Sequence, residues 1–417
     1  MNRTGKIPFY DRFPDRDSLM KSARQVGDMT PVKVNNHIHT PYSFSAFESV
    51  TQAVHMAVEE DVRVLGINDF YVTDGYAEFI ETCMARGIFP LLNIELIGIS
   101  SKEQENGIRV NDPNNPGRTY ISGKGLAHPS ILPDGQRQKL DRVIGESNRQ
   151  VEAMVGLLNE WFARQNVDIR ITIEEIMKNL AVNLLRERHV AKMVRLKVEE
   201  MANSDPEFYD IMKSIGGGRS PEKEREDIAG TEEELRARLL KAGAPAFVPE
   251  DERAFLPLEE IIAVIQDAGG IPTYPLLLDG AGGQVTEFEN NKEQLLESLQ
   301  EWGFRSIEFI PLRNRPEKLE EYTDFFYREG FSVSFGTEHN TTAMRPLTVS
   351  CMGNVPLDET LVRKSYLGAA AVAAHQYRVA REGVAYEPWS RERMEQLGDA
   401  IFRHYFGTFG PVVNGLV

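Results

Sequence analysis

Cysteine is almost missing from this chain: Cys83 and Cys351 are the two present in 417 residues. That excludes a disulfide framework and a thiolate zinc site. A basic excess is missing too, with 47 Lys and Arg against 63 Asp and Glu and a net charge of −16. No nucleic-acid polymer is expected as a partner, because nothing is in surplus to neutralise a run of phosphates. A local cationic pocket for a small anion stays compatible with that balance. No apolar run approaches membrane-spanning length, so no membrane association is expected. The first 31 residues carry Arg3, Lys6, Asp11, Arg12, Asp15, Arg16 and Asp17. They lack the apolar stretch of a signal peptide, and a cytoplasmic protein is the expectation. Neither an internal repeat nor a low-complexity segment is visible.

What is present is a strand–helix rhythm. Val34–Ile38, Arg63–Ile67 and Ile88–Ile94 read as strands, separated by amphipathic helices over Glu48–Glu60 and Gly75–Arg86. The rhythm returns with strands Gly270–Tyr274, Ser306–Ile310 and Phe331–Phe335 and helices Leu258–Gln266, Asn291–Trp302 and Pro316–Arg328. Alternation of this kind means parallel βα units and predicts an α/β barrel. Between the two halves, Gln150–Arg164, Ile173–Leu180, Val190–Met201 and Glu232–Leu240 keep helical periodicity. The expected organisation is a barrel from 31–139 and 251–345, a helical insert at 140–250, a helical C-terminal extension at 346–417 and an N-terminal arm at 1–30. Gly216-Gly217-Gly218 lacks the strand before and helix after of a phosphate loop, and reads as a linker.

The chemistry gathers at strand ends. Asn36-His37-Ile38-His39-Thr40 follows the first strand, and alternation puts His37 and His39 on one face, close enough to share a cation. Imidazole is the commonest nitrogen ligand for zinc-like ions. Alone the pair is a weak signal, and a polar strand end with two solvated histidines is the plainer reading. Asp69, Glu95, Glu338 and His339 also fall at strand ends, where a parallel barrel keeps its chemistry.

The order of motifs resembles the PHP family, the polymerase-and-histidinol-phosphatase group of metal-dependent phosphoesterases. The motifs are His37-Ile38-His39-Thr40 with Ser43, Leu65-Gly66-Ile67-Asn68-Asp69, Asn93-Ile94-Glu95, Ala268-Gly269-Gly270-Ile271-Pro272, Ser306-Ile307-Glu308 and Gly336-Thr337-Glu338. Arg188-His189-Val190-Ala191 and Gly243–Pro249 are similar to the insert of its nucleotide-phosphatase branch. The resemblance implies a distorted (β/α)7 TIM-like barrel with a helical insertion. It implies a first metal held by His37, His39, Glu95 and Glu338, with Glu where the family has Asp. It implies that Asp69 orients a ligating histidine; a strand-end carboxylate capping the next helix is the plainer reading. The family's two further metals need imidazoles that here align with Tyr120 and Tyr274, and ligands near Ser45, Phe70 and Asn340 that are absent. One divalent transition metal (zinc, manganese or iron) is therefore expected in place of three.

Secondary candidates surround that centre. His339 is a candidate ligand, partner or acid–base group. His128, in an Ala-His-Pro stretch, either lines the site or is an idle loop histidine. Tyr120 and Tyr274 either hydrogen-bond substrate or merely fill the place of lost ligands. Arg313, Arg315, Arg188 and His189 are candidate binders of a phosphate or carboxylate, since arginine offers paired donors; each is otherwise a loop residue. Lys124 stands behind them as an alternative cation. His55, His375 and His404 read as structural. The expected function is hydrolysis of a small anionic substrate, a phosphoester first, by water activated at a single metal. The alternatives are amidohydrolase or sugar-acid isomerase chemistry on the same barrel, or a non-catalytic binding protein with a structural metal.

Overall fold

Strands rich in buried apolar residues on both faces, each followed by a helix with one apolar stripe, have to wrap into a closed or layered sheet. In a computed structural model, which describes residues 9–26, 30–129, 132–278, 285–383 and 390–409, they close into a barrel. The strands are β1 (Lys33–Ile38), β2 (Val62–Phe70), β3 (Phe89–Ile99), β4 (Arg118–Lys124), a two-residue β5 (Leu256–Pro257), β6 (Ile271–Leu276), β7 (Ser306–Phe309) and β8 (Ser332–Phe335). The order around the wall is β1-β2-β3-β4-β6-β7-β8, with β5 set against the end of β3. The two edges meet at a parallel bridge between Ile38 and Glu338. This is the α/β barrel that the strand–helix alternation predicts, with the distorted seven-stranded wall that the family resemblance implies.

One strand departs from the expectation of parallel units. β4 runs antiparallel to both β3 and β6. A parallel return needs a crossover of a dozen or more residues, usually with a helix packed on the sheet. After β3 the chain makes only the five-residue helix Ser101–Glu105 before turning back, with Ser100 N bonded to Gly117 O at 2.8 Å. It therefore re-enters the wall from the same end.

The outer helices follow local rules. Helix Val50–Glu59 starts where the Ser49 hydroxyl accepts from Gln52 N at 3.1 Å, a side-chain cap on an otherwise orphaned amide. Helix Pro316–Arg328 opens on proline and buries Leu319, Tyr322 and Phe326 along one stripe. Helix Glu359–Glu382 crosses beneath the N-terminal ends of the strands. A Cβ at Gly368 would overlap the Val333 carbonyl of β8, so only glycine lets the helix come that close. On the same helix the Gln376 side chain accepts from Leu92 N at 3.0 Å, and buried His375 bonds Gly269 O at 2.8 Å, a structural role as expected.

The N-terminal residues are not a free arm. Phe9, Tyr10 and Phe13 are buried with Phe89 and Tyr405 in the barrel core. Residues 1–8 and 27–29 of that segment, and 410–417 at the other end, lie outside the described residues.

Among the described residues, the chain between Lys124 and Leu256 carries helices and no strand. Its 31-residue helix Asp134–Arg164 bridges two cores: Leu140 and Val143 join the barrel, while residues from Val151 onward join a second cluster that reaches Ala246. No helix among the described residues is long and apolar enough to cross a membrane.

Candidate metal centre

Three donors converge inside the C-terminal mouth of the barrel. His37 near the end of β1, His39 just beyond it and Glu95 on β3 are 1%, 0% and 4% exposed. The two Nε2 atoms lie 3.2 Å apart, and Glu95 Oε2 lies 3.1 Å from His39 Nε2 and 3.7 Å from His37 Nε2. Ligands of a tetrahedral ion with bonds of ~2.0–2.1 Å stand ~3.3 Å from one another. The spacing is that of N–H···N and N–H···O hydrogen bonds among the three groups, and the same donor set, two imidazoles and a carboxylate, also fits a shared transition ion.

Each imidazole is held from behind. His39 Nδ1 lies 3.2 Å from Ser43 Oγ, which donates to Asp69 Oδ1 at 2.6 Å; Thr40 N donates to the same oxygen at 2.7 Å. His37 Nδ1 lies 3.0 Å from Glu308 Oε2, which also accepts from Ser122 Oγ at 2.9 Å. Such outer partners fix the tautomer and turn Nε2 inward. Burial lifts the Glu95 carboxyl to about 7 against the pull of His37, and lowers the His39 imidazole to about 4. Neutral imidazole is the form with a lone pair to give.

The mouth is aromatic and cationic. The Phe70 ring stacks on His39 at 4.6 Å, and the Arg186 guanidinium lies over Phe70 at 4.7 Å. Arg186 leads into helix Glu187–Met201 of the insert, and among the described residues no carboxylate pairs with its side chain. Arg188 is half-buried with Glu233 at 3.9 Å; burial first, then Arg236, brings it down to about 10. His189 packs edge-on against Phe44 at 4.9 Å, accepts from Arg186 N at 3.0 Å through Nδ1, and leaves Nε2 buried without a partner among the described residues. Tyr120 stands on the interior-facing side of β4, edge-on to Phe70 at 6.4 Å.

Other expected residues are placed elsewhere. The Glu338 carboxylate faces Arg313 at 2.5 Å instead of joining the histidines. Its backbone is fixed by barrel closure, with Glu338 N on His37 O at 2.9 Å and His39 N on Glu338 O at 2.7 Å, at a left-handed φ of 66°. That same pairing occupies Arg313; Arg315 lies exposed two residues on. His339 turns away, with Nδ1 at 2.8 Å from Thr337 Oγ1 and Nε2 at 2.8 Å from Arg345 O, so neither nitrogen serves the centre. Tyr274 is one residue out of register: it pairs Ile307 while Pro275 pairs interior-facing Glu308, so the phenol leaves the barrel for Glu289 at 3.2 Å. His128 is exposed beyond the reversed end of β4, where Ala127 N bonds Ala268 O ahead of β6. The antiparallel strand carries it away from the mouth.

Ser122 and Arg186 enter the site without having been singled out from the sequence, and Glu308 was named there only as part of a motif, with no role. The signal for Glu308 was an acid inside a four-residue apolar strand, Ser306–Phe309, all buried. Arg186 had no local signal.

No family profile matches this chain, and no curated protein does so in sequence. Among solved structures it is similar to a protein of Bifidobacterium adolescentis provisionally named a metal-dependent phosphoesterase. The TM-score is 0.53 and the identity 17%, over 80% of this chain and 96% of that one. A protein of Chromobacterium violaceum described as an amidohydrolase with bound sulfate and no metal gives a TM-score of 0.44 and 16% identity, over 80% and 96%. At these identities the likeness is one of fold: this chain is built on the same kind of barrel as the first of them.

Proposed function

We propose that the chain is a metal-dependent hydrolase of a small anionic substrate, a phosphoester first, and a divergent relative of the PHP group. The observation that carries this reading is the convergence of His37, His39 and Glu95 beneath the Arg186 guanidinium, which lies over the Phe70 ring. A single zinc, manganese or iron ion held there would supply Lewis-acid polarisation of the scissile group and of water. Asp69 acts through Ser43, keeping the His39 ring turned inward; Glu308 does the same for His37. Glu338, tied by its backbone to both histidines, is the fourth ligand candidate and would exchange Arg313 for the cation. Arg186 and Arg188, ahead of and within the first turn of a 15-residue helix, bind the anion together with the helix's positive end. Phe70 and Phe44 exclude water around it.

The test is metal analysis followed by turnover. The dialysed protein should hold about one transition ion per chain, and a His37→Ala/His39→Ala variant should hold none. Chelator-sensitive phosphate release should appear on a panel of nucleotides and sugar phosphates. Truncating Arg186 to alanine should weaken substrate binding by about 2–5 kcal/mol, the cost of orphaning a buried charge partner. Equal metal content in the double variant would refute the centre. A bound metal with no phosphate release would turn the reading toward amide or sugar-acid substrates.

A further inference from the structure

Lys124 is fully buried, with its side chain 0% exposed inside the barrel. It gets there because β4 is reversed. Tyr120, Ser122 and Lys124 alternate onto the interior face, and the last of them enters deepest, level with Ile271 at the start of β6. From below, its ammonium reaches Glu308 Oε1 at 2.5 Å, Asn36 O at 3.1 Å and Asn68 Oδ1 at 3.5 Å. The other Glu308 oxygen is the one that receives His37 Nδ1 at 3.0 Å. A buried ion pair of this kind is a poor device for stability, since apolar residues of the same volume would serve as well or better. Its position suggests another use.

We propose that Lys124 is a positioning residue for the metal centre: it neutralises and orients the Glu308 carboxylate, which in turn aims His37, and so sets the affinity of the site for one divalent ion. The ammonium acts as a resident cation on the floor of the barrel, in a nest of three oxygens. This inference rests on the metal reading above and adds a residue that touches neither ion nor substrate.

The experiment measures zinc affinity at one pH by competition with a chromophoric chelator, and records the visible spectrum of the cobalt-substituted protein. It compares wild type with Lys124→Met, Glu308→Gln and the double variant. Both single variants should bind zinc about 10–100-fold more weakly, the usual effect of losing a ligand's outer partner, with a shifted cobalt spectrum. The double variant should be no weaker than Glu308→Gln, because Lys124 acts through that carboxylate. Should Lys124→Met fail to fold, the double variant, which leaves no orphaned charge, is read against Glu308→Gln: equal affinity supports the inference, and a further loss overturns it. Wild-type affinity in any folded Lys124→Met background overturns the inference, and so do effects that multiply in the double variant. Absence of zinc binding by wild type would instead defeat the metal centre itself.

Discussion

Glu95 is pulled in opposite directions by folding and by binding. Its carboxyl is held near 7 mainly by burial, so the ionised form costs the metal-free protein stability that a cation would return. Glu95→Gln should therefore raise the melting temperature of the metal-free protein above neutral pH. It should also weaken zinc by more than about a hundredfold, the upper range for residues that only back a ligand. Unchanged zinc affinity in a chelator competition would remove Glu95 from the centre. At this scale the sequence was informative where neighbours in the chain suffice: His37 and His39 share a face because they are two apart on a strand. It was silent on Glu308 and His37, which meet only through the barrel wall.

Among elements, the loop into Glu289 gives a pH signature separate from the metal. Glu289 is buried and accepts from Leu277 N and Thr286 Oγ1 at 2.9 Å each, yet burial still lifts its carboxyl to about 8. The folded state therefore holds a proton that an unfolded glutamate, with a pKa of about 4.3, has released. Stability from this group is complete below about 4.3 and declines by a few kcal/mol as pH rises toward 8. Glu289→Gln should flatten that decline in urea titrations between those limits; a curve parallel to wild type would contradict it. The helix under the barrel is governed by close approach instead. Gly368→Ala should cost about 1–3 kcal/mol or more through overpacking against the Val333 carbonyl, with metal content unchanged in the folded fraction. A wild-type urea midpoint would show that the helix stands farther off.

For the whole molecule, the two cores make the insert separable in principle. Gln150 and Val248 already meet, with the amide donating to the carbonyl at 2.8 Å, so the intervening chain can be replaced by a short linker. Excision of 151–247 should leave a folded barrel with its metal. It should lower kcat/KM by about a hundredfold or more, since Arg186 and Arg188 leave with the insert. Loss of metal together with activity would show that the insert supports the centre and not the substrate.

The sequence by itself determined the βα order, the helical character of 140–250 and the placing of His37 and His39 at the end of the first strand; Glu95, expected at a strand end, lies inside β3, which runs on to Ile99. Those follow from periods of two and 3.6 residues, which are properties of the local chain. The outer helices matched within a residue or two for the same reason. Tertiary structure alone decided the direction of β4, and with it that Lys124 enters the barrel while His128 is carried away from the mouth. It also decided that Tyr274 faces Glu289, that Glu338 holds Arg313, and that Arg186 of the insert covers Phe70 of the barrel. Each of these depends on register or on docking between segments far apart in the chain. A one-residue shift in pairing sends a side chain to the other face, and no local pattern records which shift is made.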